Sequence, residues 1–146
     1  MRVLFFVLLV ACGGVGPTPR ILESCTPVGS WSVHDSLEGD AGCSGDAVSV
    51  SDVVDVGVDG GAVTWSERTS GLVLTGPFDA DTCTAEVALY RNVTTPDGLV
   101  EWSLSRTVTF ADGGLRGTTR TSLELYPAAL GPPCSSSYAT TGALEP

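Results

Sequence analysis

Apolar and polar residues alternate through most of the chain after residue 28. Val100, Trp102, Leu104, Val108 and Phe110 fall on one side of an extended segment, with Glu101, Ser103, Ser105, Thr107 and Thr109 on the other. In the next segment Leu115, Gly117, Thr119, Thr121, Leu123 and Leu125 share a face, opposite Arg116, Thr118, Arg120, Ser122 and Glu124. A period of two is that of a strand with one face toward a core. Between these segments, Ala111-Asp112-Gly113-Gly114 has the composition of a hairpin turn, because Asp-Gly and Gly-Gly accept positive φ.

The same reading extends upstream and downstream. Strands are expected over Gly29–Asp35, Ala47–Val56, Ala62–Arg68, Leu72–Phe78, Thr84–Asn92 and Ser136–Gly142, separated by Gly60-Gly61, Ser70-Gly71 and Thr95-Pro96-Asp97-Gly98. No stretch beyond the N-terminus sustains a helical period. About eight short strands with turns every ~8–12 residues predict an all-β domain. A small antiparallel up-and-down barrel is the expected architecture, with a β-sandwich as the alternative.

The N-terminus follows different rules. Arg2 precedes an apolar run, Val3 to Val10, that is too short to span a bilayer, for which ~20 helical residues are needed. It fits the apolar segment of a secretory signal. The run ends in Leu9-Val10-Ala11-Cys12, which resembles the lipobox of bacterial lipoproteins. That resemblance implies cleavage before Cys12 and lipidation of Cys12. Residues 1–11 would then be signal peptide, 12–24 a lipidated cysteine with its tether, and 25–146 the barrel domain. Two or three acyl chains on one cysteine would hold the domain to a membrane far more firmly than a single chain does. Gly13, which is not acidic, favours the outer membrane under the retention rule of some Gram-negative lipoproteins.

Composition narrows the function. The chain has 146 residues, and its 7 basic residues, all Arg, stand against 17 acidic ones for a net charge of −10. Nucleic acid is therefore not an expected partner, since tracking phosphates requires a basic face. There are 5 cysteines. Assigning Cys12 to lipid leaves Cys25, Cys43, Cys83 and Cys134, an even set suited to two disulfides in an oxidising compartment. Four cysteines allow three connectivities. No C-x-x-C spacing, Gly-x-Ser-x-Gly, His-Glu-x-x-His or glycine-rich phosphate loop is present, so no catalytic residue, metal or cofactor is expected. His34, the single imidazole, lies beside Asp35 but has no nucleophile assigned to it. Two acidic groups, Asp35/Glu38/Asp40/Asp46 and Asp52/Asp55/Asp59, read as solvated loop charge without calcium-loop spacing.

Val28-Gly29-Ser30-Trp31 opens the first strand, and this Gly-x-Trp resembles the opening motif of the calycins, which include lipocalins and avidins. The resemblance implies that Gly29 and Trp31 close the barrel bottom, with a late arginine, Arg116 or Arg120, packed across the indole. The segment from Cys134 to Tyr138, with Thr141-Gly142, is similar to the closing strand of small bacterial lipoprotein barrels. In such a closed order the first and last strands become neighbours, which implies the pairs Cys43–Cys134 and Cys25–Cys83. The expected function is non-enzymatic binding of a small apolar ligand inside the barrel. The alternative is a protein-interaction module, a protease inhibitor or envelope-assembly factor, acting through loops at the barrel mouth. Interior bulk separates the two. Trp65, Trp102, Phe78, Phe110 and Tyr90 could fill the barrel, favouring the loops, whereas a hollow interior would favour carriage.

Overall fold

Each of the eight expected segments contains a strand in the computed structural model, which describes residues 25–41 and 49–146, so that Ala47 and Val48 of the expected second strand lie outside it. They are β1 (Gly29–Ala41), β2 (Val50–Asp59), β3 (Ala62–Glu67), β4 (Val73–Asp79), β5 (Thr84–Thr95), β6 (Gly98–Ala111), β7 (Gly114–Tyr126) and β8 (Cys134–Leu144), with a 3-10 turn at Ala128–Leu130. Each strand is antiparallel to its successor, and β8 pairs back onto β1 to close a barrel in simple up-and-down order. That last pairing decides between barrel and sandwich. It runs from Trp31 opposite Leu144 to Ala41 opposite Ser135, interrupted by a bulge between Leu37 and Gly39.

Local chemistry sets the corners. Asp112 and Gly113 have φ of 49° and 72°, the two left-handed central positions of a hairpin turn whose twist matches its strands. β7 meets β6 so closely at Gly117 that a Cβ there would collide with the carbonyl oxygen of Thr107, and Gly76 stands in the same relation to Glu86. Strand glycines of this kind permit the close backbone approach that a small barrel demands.

Inward-facing side chains fill one end of the barrel. Trp31, Val54, Val56, Val63, Trp65, Leu74, Ala85, Val87, Val108, Phe110 and Leu115 are buried there. Trp31 and Phe110 pack with ring centroids 5.2 Å apart and planes tilted by 59°, and the Trp31 indole N–H donates to the Pro27 carbonyl at 2.9 Å. Each tryptophan removes ~150–250 Å² from water, a gross gain of about 4–6 kcal/mol before entropy is counted. Across this closed end Cys25 is joined to Cys83, with Cα atoms 5.6 Å apart, and the Cys83 carbonyl accepts the Phe110 N–H. The expected Cys25–Cys83 pairing is therefore present.

The other end is uneven. β2, β3 and β4 have 10, 6 and 7 residues, whereas β1 and β5 to β8 have 11 to 14. The long strands continue past the closed barrel as a curved wall, and the β3–β4 turn forms a low rim facing it. Among the described residues no helix is long and apolar enough to cross a membrane.

Candidate functional site

Strand parity puts a charge where the alternation calls for an apolar residue. Arg106 lies between Leu104 and Val108 on the inward face of β6, and its side chain is 8% exposed. One terminal nitrogen, Nη2, donates to Glu67 Oε1 on β3 at 2.9 Å and is ion-paired with Asp35 Oδ2 on β1 at the same distance. Asp35 Oδ1 in turn accepts the hydroxyls of Thr140 on β8 at 2.7 Å and Thr119 on β7 at 3.2 Å, and those hydroxyls stand 2.7 Å apart. Glu67 Oε2 accepts the Ser70 hydroxyl from the low rim at 2.6 Å. The guanidinium carbon lies 5.2 Å from the Trp65 ring centroid, so the aromatic face below adds a cation–π contact. Five strands thus meet in one buried polar layer on top of the apolar fill.

The layer is not fully satisfied. Arg106 Nε and Nη1, and the Trp65 indole N–H, are buried without a hydrogen-bond partner among the described residues. Above the guanidinium a pocket of about 110 Å³ opens at the barrel mouth, bounded by Asp35, Asp52, Glu67 and Arg106, with Val50 and Ser70 at its edge. Farther up the wall, Leu89 and Trp102 are half-buried and pack against the core.

Two arginines that the calycin resemblance brings to Trp31 lie elsewhere. Arg116 and Arg120 are exposed on the outer face of β7, because they alternate with the inward Leu115 and Thr119. The arginine that does enter the barrel is Arg106, and it stacks on Trp65 rather than Trp31. Gly29 and Trp31 are at the closed end, where the Gly29 φ of 147° and the buried indole fit the tight entry of β1. Tyr90 is not a filler of the barrel: it is 59% exposed, its position falling on the outward parity of β5. Cys134 is disulfide-bonded, with a partner outside the described residues. The expected partner Cys43, the expected lipidation site Cys12 and the whole of residues 1–24 lie outside them too.

The acidic residues expected in loops lie on strands, Asp35, Glu38 and Asp40 on β1 and Asp52, Asp55 and Asp59 on β2, while Asp46 lies outside the described residues. β1 runs six residues beyond its expected end; Glu38, Asp55 and Asp59 are solvated as expected, but Asp35 is buried in the polar layer. Asp52 accepts the backbone N–H and hydroxyl of Thr69 on the rim. Asp55 lies outside, paired with Arg68 at 2.7 Å. Among the described residues no group of three or more His, Cys, Asp or Glu is placed to hold a metal ion. His34 Nδ1 is 2.8 Å from the Ser51 hydroxyl across the β1–β2 pair, a neighbour that only the strand register reveals. That pair stands on the exposed outer face, with the Asp35 carboxylate turned to the opposite side of the strand, so among the described residues no acid pairs with the imidazole.

Hydrogen bonds from Arg68, and then from Ser30, lower the Asp55 carboxyl from 3.8 to about 2. A carboxyl whose folded value lies below its unfolded one stabilises fully above the unfolded value and loses that contribution as pH falls through the folded value. Arg68→Ala should therefore move the Asp55 midpoint upward, toward 3.8, in a carbon-detected NMR titration. An unmoved midpoint would assign the shift to Ser30 alone.

Comparison with family models, curated proteins and solved structures gave no match, so the reading of this site rests on its geometry.

Proposed function

We propose that this chain is an envelope-anchored, non-enzymatic recognition module that works at the mouth of a filled barrel. The observation that carries the reading is the occupied interior. Trp31, Trp65, Phe110, Leu74 and Leu115 are each at most 2% exposed, and the space above them measures only about 110 Å³. Small-molecule pockets are usually ~300–1,000 Å³. The filled lumen therefore weighs against carriage of an apolar ligand and in favour of an interaction module such as a protease inhibitor or envelope-assembly factor. The lipobox-like Leu9-Val10-Ala11-Cys12 and the disulfides support attachment at an outer membrane in an oxidising compartment. Gly29-x-Trp31 in a closed eight-stranded barrel supports a calycin-like ancestry.

Titration with a long-chain fatty acid, followed by tryptophan emission, should give no saturable one-to-one complex. A photo-crosslinker at Val93, on the inner side of the wall, should capture a partner that one at Val73, on the outer side of β4, does not. A stoichiometric fatty-acid complex that Leu74→Trp abolishes would sink this reading and restore the carrier.

A further inference from the structure

The wall beyond the closed barrel ends in a strand edge with no neighbour. β4 begins at Val73, and continuing its register with β5, in which Thr75 stands opposite Ala88, sets Val73 opposite Tyr90, whereas β5 runs on to Thr95. The free stretch lacks the usual devices that blunt an edge. Its register with β6 is unbroken from Thr84 to Thr95, it holds no proline, and Tyr90, Asn92, Val93 and Thr94 are uncharged and exposed. The ladder fixes where its backbone groups point. The Phe110 N–H donates to the Cys83 carbonyl, so the even-numbered residues of β6 bond toward β5. Their partners across the unbroken register are odd-numbered residues of β5, Val93 opposite Val100 and Thr95 opposite Gly98. The N–H and C=O of Asn92 and Thr94 therefore point the other way, and no group among the described residues meets them. These four groups form a template for an added strand.

Charge selects the occupant. On the outer side of this stretch Asn92 stands opposite Glu101, and Glu101 opposite Glu124, so two carboxylates face one another across β6 and β7. Neither is in an ion pair among the described residues, and Tyr90 and Tyr126 share their face, 59% and 45% exposed. The hydrogen bond to Glu124, and then its charge, holds the Tyr126 phenol up at about 12. Such a patch attracts a cation and offers it aromatic faces. An added strand would lie roughly 10 Å from β6, a gap that a glutamate and a long basic side chain span together. On the inner side Leu89 and Val93 offer apolar surface, with Arg91 between them. A second copy of the chain fits poorly, since it brings a net charge of −10 and the same two glutamates.

We propose that the free β5 edge at Asn92 and Thr94 takes an extended segment of a partner protein as an added strand, with arginine or lysine on its outer side and apolar residues on its inner side. The proposal rests on the mouth being the recognition end of the barrel, and it names the class of partner held there. The test is an NMR titration of the purified, oxidised protein with a short blocked peptide that alternates valine with arginine, and with its counterpart bearing glutamate for arginine. The arginine peptide should bind saturably, at least about tenfold tighter than the glutamate one, and it should slow hydrogen exchange at the Asn92 and Thr94 amides at least about tenfold. Thr94→Pro deletes an N–H that bonds nothing in the fold, so it should abolish binding with the melting temperature unchanged. Glu101→Gln combined with Glu124→Gln should leave the edge able to pair and erase the preference between the peptides. Equal binding of both peptides by the parent, binding unaffected by Thr94→Pro, or no binding of either peptide would overturn the proposal. A dimer in sedimentation that Thr94→Pro disperses would give the edge to a second copy and overturn it too. Failure here with a blank fatty-acid titration rejects the basic partner and keeps the mouth reading, whereas fatty-acid uptake into the lumen rejects the mouth reading itself.

Discussion

Arg106→Met should lower the melting temperature by about 12–20 °C. The substitution keeps most of the side-chain length and its packing over Trp65, so the loss is mainly electrostatic. Without the guanidinium, Asp35 and Glu67 are left facing one another, with side chains 10% and 9% exposed. Removing one partner of a buried ion pair typically costs about 3–5 kcal/mol, because the remaining charge stays desolvated. A domain of this size shifts by roughly 4 °C per kcal/mol. The triple variant Arg106→Met, Asp35→Asn, Glu67→Gln removes the stranded charges and should recover much of the loss, since a buried charge network is often replaceable by neutral groups. Differential scanning calorimetry of the two variants decides the matter. An Arg106→Met protein melting within about 2 °C of the parent would show that the layer is already solvated and contributes little.

This residue also marks how far the sequence could be read. Parity located every strand, because apolar alternation and Gly-rich turns are local signals, and the Asp112-Gly113 hairpin follows directly from its two residues. Parity equally places Arg106 inside, since it occupies an even position among Val100, Trp102, Leu104, Val108 and Phe110. A charged side chain in an otherwise apolar register is the one sequence signal for the polar layer. Its partners carry no such signal. Asp35 and Glu67 are separated from Arg106 by 71 and 39 residues, and what brings them together is barrel closure and stagger, which no local pattern encodes. For the same reason Ser51 could not be matched to His34 in advance, and β1 could not be seen to run on to Ala41 through Ser36, Glu38 and Asp40, a stretch whose composition suggests a loop. Pairing with β8 holds that stretch extended, a tertiary override of weak local propensity.

The Cys25–Cys83 bridge should be worth about as much as the buried charge layer, for a different physical reason. The two cysteines are 58 residues apart, and closing a loop of that length removes enough entropy from the unfolded chain to stabilise the fold by roughly 4 kcal/mol on the chain-entropy model. There is a native-state contribution as well. The bridge holds the segment before β1 across the closed end, where the Pro27 carbonyl satisfies the Trp31 indole N–H. Without it that donor is left buried and free to lose its partner, at a cost of about 1–3 kcal/mol if unmade. Replacing both cysteines by serine isolates this bridge, since the disulfide at Cys134 is untouched. The expected drop in melting temperature is at least about 16 °C, with the barrel still folded at room temperature and the Trp31 indole resonance moved or broadened. Cys83 is fully buried and Cys25 partly buried, so a thiol reductant can approach the folded bridge only from the Cys25 side. Reduction of the parent protein should accordingly be slow in buffer and accelerate with mild denaturant. A double-serine variant that melts with the parent, or a bridge reduced as fast as one on an exposed loop, would show that the segment before β1 is not part of the barrel's cooperative unit.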